Sequence, residues 1–105
     1  MDPEQPDLTI ADVVVSTAGR DAGALFYVLG TDGIYLLLAD GKGRRIEKPK
    51  RKKRKHTNKV LRSETRVAQK LREGDKVLNS ELRKDLAYLS REMQSEVNEL
   101  WQKTT

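Results

Sequence analysis

Three short apolar runs, each cut off by a glycine turn, set the folding options of this chain. Val13-Val14-Val15 is β-branched and ends at Thr17-Ala18-Gly19. Leu25 to Leu29 contains Phe26 and Tyr27, and Ile34 to Ala39 follows Thr31-Asp32-Gly33. β-Branched and aromatic side chains suit a pleated surface, and Asp-Gly between two apolar runs predicts a hairpin. Asp40-Gly41 turns the chain again into Arg44 to Glu47, which the pattern predicts as a fourth, polar edge strand. Val60 and Leu61 are the expected last strand. No helix-length apolar stripe interrupts residues 12–47, so short strands at this spacing predict a small barrel or sandwich.

After Ser63 the apolar period changes from two to about 3.6. Val67 and Leu71, with Lys70 beside them, share one face of a short helix that Gly74 should end. Asn79 or Ser80 is placed to cap a second helix. Its stripe of Leu82, Leu86, Leu89, Met93, Val97 and Leu100 is amphipathic, and the expected role is to cover one face of the strands. The rival role is a groove-binding or self-associating helix. At the other end Pro3 and Pro6 oppose helix and little is available to bury, so residues 1–10 are expected to be a disordered leader.

With 105 residues, 36% hydrophobic and 35% charged, the chain has apolar material for one compact core rather than two. It contains no cysteine, which removes disulfides, thiolate metal sites and cysteine nucleophiles together. No apolar run approaches the ~20 residues that span a bilayer, and the acidic, Pro-interrupted start lacks the pattern of a signal peptide. The expectation is a soluble, cytoplasmic protein without a membrane partner.

Charge is distributed very unevenly. Residues 1–41 hold one basic residue, Arg20, against seven acidic ones, while residues 42–59 hold eleven basic residues and only Glu47. Residues 60–105 are nearly balanced. Seven of the eight residues from Lys48 to Lys55 are basic, and Pro49 is the eighth. Such a run repels itself and is expected to be extended when free. It reads as a polyanion contact with steeply salt-dependent binding, as a nuclear localisation signal, or as a solvated loop; density favours the first. The acidic first third either covers part of this block or repels anions elsewhere.

The stretch A-D-V-V-V-S-T-A-G-R-D-A-G, residues 11–23, followed by F-Y-V-L and L-L-L-A-D-G, resembles the KOW motif of ribosomal proteins and transcription elongation factors. With R-R-I-E-K-P-K and K-H-T-N-K-V after it, the chain is similar to small bacterial KOW-domain RNA-binding proteins. These are similar in turn to a KOW-bearing large-subunit ribosomal protein family of archaea and eukaryotes. The resemblance covers residues 11–61. It implies a mainly β fold with added α structure: a small SH3-like β-barrel over 11–61, with a C-terminal helical segment over 62–105. Gly19 matches the motif glycine, Arg20-Asp21 the polar loop, and Gly23 the glycine that opens the second strand. Ala11 stands where a glycine often opens the motif, and Ala22 where a lysine is common.

The implied function is non-enzymatic binding of structured RNA, in particular ribosomal RNA, by a ribosome-associated or ribosomal-type protein in translation. The candidate RNA-binding residues are Arg20, Lys42, Arg44, Arg45, Lys48, Lys50, Arg51, Lys52, Lys53, Arg54, Lys55, His56 and Lys59, with Gly19, Asp21 and Gly23 forming the motif loop. Phe26, Tyr27 and Tyr35 are expected in the core or on the barrel face rather than as base-stacking platforms, which favours RNA read through backbone and shape. His56 has no partners at a catalytic or metal-binding spacing, and no carboxylate pair is recognisable. No enzyme activity, metal, cofactor or small-molecule substrate is therefore expected. The alternative is a protein-interaction module docking on RNA polymerase or a ribosomal protein through the barrel and the C-terminal helix.

Overall fold

The computed structural model describes residues 8–104, with side chains described as far as residue 94. Five strands form one antiparallel sheet: β1 (Asp12–Ser16), β2 (Leu25–Asp32), β3 (Tyr35–Ala39), β4 (Lys50–Lys53) and β5 (Thr57–Arg62). Their spatial order is β4-β3-β2-β1-β5, so β4 and β5 are the two edges. A single 3₁₀ turn, Arg54–His56, joins those edges. Two helices follow, α1 (Arg66–Glu73) and α2 (Asn79–Thr104). The switch from strands to helices after Ser63 falls where the apolar period changes.

The central strands are buried on both faces. Register sets Val13 opposite Tyr27 and Val14 opposite Phe26, and strand alternation sends the two pairs to opposite sides. On one side Val13, Tyr27 and Ala39 pack with Ala68 of α1 and with Leu82, Leu86 and Leu89 of α2. On the other, Val14, Phe26, Val28, Leu36 and Leu38 pack together, joined by Leu8 and Ala24. Both faces are thus withdrawn from water, and each fully buried large side chain contributes about 1.5–3 kcal/mol. Of the expected leader, residues 1–7 lie outside the described residues, but Leu8 is packing material rather than free chain. Val97 and Leu100 of the helix stripe also lie outside the described side chains.

A buried polar cluster ties the helices to the sheet. The Tyr27 hydroxyl hydrogen-bonds with Ser63 Oγ at 2.8 Å and donates to the Asp85 carboxylate of α2. Thr65 Oγ1 donates to the same Asp85 oxygen at 2.8 Å and accepts from Ala68 N at 3.2 Å, capping α1. Burial, reinforced by the facing Asp85 carboxylate, pushes the Tyr27 hydroxyl up to about 12. It therefore stays protonated and able to donate at any ordinary pH.

Two expectations are corrected here. Arg44 to Glu47 is not a strand. The Asp40 carboxylate accepts from the backbone N–H groups of Lys42 and Arg44, both at 2.9 Å, which curls the chain instead of extending it. The fourth strand lies further on, inside the basic run, where Lys50 pairs with Leu38 and Lys53 with Tyr35. Nor does the Asn79 side chain cap α2. Its Oδ1 accepts from Ile46 N at 2.8 Å and its Nδ2 donates to Glu47 at 2.8 and 2.9 Å. The free N–H of Leu78 is taken by Glu81 at 3.1 Å.

Gly41 seats this curled segment against α2. It has φ +77, and a Cβ there would lie 2.2 Å from the Asn79 carbonyl oxygen, so a side chain is excluded by both conformation and space. Among the described residues, no helix is long and apolar enough to cross a membrane. Because α2 shares its core with the sheet, emptying one helix site should weaken the whole fold. Leu86→Ala is expected to cost about 2–5 kcal/mol, read as a drop in melting temperature of the protein without ligand.

Candidate nucleic-acid interface

β4 consists of four basic residues, Lys50-Arg51-Lys52-Lys53, and alternation divides them between two surroundings. Lys50 and Lys52 turn toward the β1–β2 loop. Lys50 Nζ donates to Asp21 Oδ2 at 2.6 Å and Lys52 Nζ to Asp21 Oδ1 at 2.8 Å. Lys52 Nζ also reaches the Ala18 carbonyl at 2.7 Å, and only 8% of its side chain is exposed. Ser16 Oγ donates to Asp21 Oδ1 at 2.8 Å. One carboxylate in the motif loop thus holds two lysines of the opposite edge strand.

Partial burial works to raise the Asp21 carboxyl, but hydrogen bonds from Lys50, Lys52 and Ser16 outweigh it and hold the group well below the usual aspartate range. Gly19 and Gly23 bracket this loop, both with positive φ. Their turn lets the chain double back so that Asp21 reaches over the sheet, with Gly23 N donating to Ser16 O at 2.8 Å.

The other predicted residues fall into distinct groups. Arg51 faces the opposite way, with Nη2 3.1 Å from Asp32 Oδ2 and its guanidinium 4.1 Å from the centroid of the Tyr35 ring. Lys59 lies 3.5 Å from Asp12. Arg54 donates from Nε to the Gly33 carbonyl at 2.9 Å. Lys42, Arg44, Arg45 and Lys48 are exposed on the curled β3–β4 connection, and Arg45 contacts Glu47 at 3.9 Å. Arg20 and Lys55 are exposed, Lys53 and His56 half-buried. Lys53 and His56 line one cleft with Ala18 and Gly19, because Thr17 N donates to His56 O at 2.9 Å and draws the β4–β5 turn onto the β1–β2 loop that carries Arg20.

Lys50 and Lys52, read from sequence as RNA contacts, are therefore structural cations first. Two residues were not among the candidates. Tyr35 lines a cleft beside Gly19 and His56, and Arg83 of α2 lines a second one with Lys42 and Asp40. An arginine over an aromatic ring is invisible in a sequence until the register of Tyr35 against β4 is known. Arg83 sits on the polar side of a helix stripe, where nothing distinguishes it from a solvated charge. No family model matches the chain and no curated protein matches it significantly.

The Asp21 clamp has a pH signature. Its carboxyl is held below the value of about 3.9 that it has in an unfolded chain, so the stabilisation is whole above about pH 4 and is lost as pH falls through the lower folded value. Asp21→Asn is expected to lower the melting temperature at pH 7 and to flatten its decline between about pH 4 and pH 2. Thermal melts of both proteins across that range check this.

Proposed function

We propose that the protein binds structured RNA without catalysing a reaction, as a ribosome-associated or ribosomal-type protein built on an SH3-like KOW barrel. The observation that carries this reading is the docking of the β4–β5 turn on the β1–β2 loop through Thr17 N and His56 O. It puts Lys53 and His56 in one cleft with Ala18 and Gly19, while Arg20 and Lys55 are exposed on the same two segments. Arg20, Lys53 and Lys55 make no ion pair among the described residues. Cations that the fold leaves unneutralised are the kind that release counterions when they meet phosphates.

The barrel is supported by chain reach. In a flat five-stranded sheet the edges would stand about 19 Å apart, four spacings of ~4.8 Å. A three-residue connection spans at most about 14 Å between its flanking Cα atoms, and a 3₁₀ turn spans less. Arg54–His56 nonetheless joins β4 to β5, with Arg54 N donating to Ile34 O at 2.8 Å. Curling the sheet brings the edges within that reach. Register irregularities in β1–β5 and β2–β3 supply bends for it. The KOW resemblance gains support at Ala11, whose φ of +71 is the left-handed conformation that favours glycine. A glycine often opens the motif at that position.

The alternative of a protein-docking helix is not favoured, because Leu82, Leu86 and Leu89 are already committed to the sheet. Replacing Arg20, Lys53 and Lys55 together with alanine is expected to weaken binding to unrelated structured RNAs alike. The slope of log affinity against log salt should fall by about one unit per lost contact. Fluorescence anisotropy titrations at several salt concentrations test this. Unchanged affinity and slope would remove this surface as the RNA contact.

A further inference from the structure

Between the motif loop and the β4–β5 turn lies an open cleft of about 400 Å³, lined by Ala18, Gly19, Tyr35, Arg51, Lys53 and His56, with Lys52 at its base. Its wall contains a stacked pair. The Arg51 guanidinium lies over the Tyr35 ring at 4.1 Å and is held there by Asp32 at 3.1 Å, while more than half of the Arg51 side chain remains exposed. A planar cation is thus presented to solvent, its underside occupied and its position fixed. Lys53 stands directly opposite Tyr35 in the β3–β4 ladder. Lys52 is already committed to Asp21 and Ala18.

These groups select a ligand with a flat face and an anion close together. A guanidinium plane stacks on a nucleobase, and Lys53 and His56 supply donors for the attached phosphate. A base inside a duplex has both faces covered by its neighbours, so only a nucleotide outside the helix could use the stack. The volume lies near the lower end of the ~300–1,000 Å³ of small-ligand sites, enough for one nucleotide rather than a strand. Tyr35, expected in the core or on the barrel face, lines this cleft.

We infer that this cleft holds a single unpaired nucleotide of the bound RNA, its base on the Arg51–Tyr35 stack and its phosphate at Lys53 and His56. The inference rests on the RNA-binding reading above and gives it a preferred substrate class: stems interrupted by a bulged or looped-out nucleotide.

The test uses two fluorescently labelled hairpins with the same stem, one fully paired and one carrying a single-nucleotide bulge. Anisotropy titrations with the full chain should show the bulged hairpin bound roughly 5- to 150-fold more tightly, the equivalent of ~1–3 kcal/mol for one stacked base. Arg51→Lys keeps the charge but loses the plane, and Tyr35→Leu keeps bulk but loses the ring. Either change should bring the affinity ratio close to one, with melting curves confirming that the variants are folded. Equal binding of both hairpins by the wild type overturns the cleft assignment and leaves RNA binding standing. A preference that survives in both variants overturns it as well. Binding to neither hairpin overturns the RNA-binding reading, and the cleft assignment with it.

Discussion

The Asp21 carboxylate is the interaction on which the β4 edge of the sheet depends. Four adjacent basic residues do not form an edge strand unaided, since their mutual repulsion opposes the ladder that β3 offers. Strand alternation removes half of the conflict by sending Lys50 and Lys52 to one side and Arg51 to the other. Asp21 removes most of the rest, taking both lysines within 2.8 Å. Because Lys52 is nearly buried, losing its partner would strand a charge out of water, the costly way to break such a pair. β4 in turn fixes where Arg51 lies over Tyr35 and where the turn to β5 begins. The cleft therefore inherits its shape from an ion pair between residues about thirty positions apart.

The opposite side of the sheet is stabilised by different means. There the helices supply the hydrophobic cover, and α2 buries Leu82, Leu86 and Leu89 against Val13 and Tyr27. Tyr27 is used twice: its ring fills the core and its hydroxyl anchors Asp85 of α2 with Ser63 and Thr65 around it. A sheet this small has too little area to be stable with one face in water. Helices cover one face, and on the other Val14, Phe26, Val28, Leu36 and Leu38 pack together, so the apolar residues of both faces lie inside. The loop end of the sheet carries charged groups on the β1–β2 loop and the β4–β5 turn.

Local features were legible in the sequence and non-local ones were not. The runs at Val13, Leu25 and Ile34 became β1, β2 and β3; Gly74 ended α1; and the leucine spacing of α2 identified its buried face. Each of these depends on neighbours within a few residues. What was missed turns on specific side-chain partners, close by for Asp40 and far along the chain for Asn79 and Asp21. Arg44 to Glu47 looked like a strand because its polarity was compatible with one, but Asp40 and Asn79 take its N–H groups. Lys50 and Lys52 looked like free polyanion contacts because their charge was counted along the chain, whereas Asp21 answers them across the sheet. Asp21 itself was noted only as part of a polar loop, since nothing in its spacing points to β4. Tyr35 was assigned to the core or the barrel face from its strand pattern, and the pattern could not show that its strand lies next to the basic edge.

The uneven charge of the sequence acquires a physical meaning in the fold. Asp12, Asp21 and Asp32 of the acidic first third face Lys59, the Lys50–Lys52 pair and Arg51 respectively. Three aspartates thus answer four cations of the basic block, one pairing at each of three places around the sheet. The acidic segment covers part of the block, and it does so selectively: it neutralises cations of the edge strands. A basic edge strand also resists pairing with another sheet, because a second such edge would bring like charges together. Most of the block's cations left without an acidic partner lie in turns and loops, and Lys53 lies at the end of β4. Counting the block's full charge would overstate its share in polyanion binding. The fold decides which of those charges hold the sheet together and which remain for a ligand.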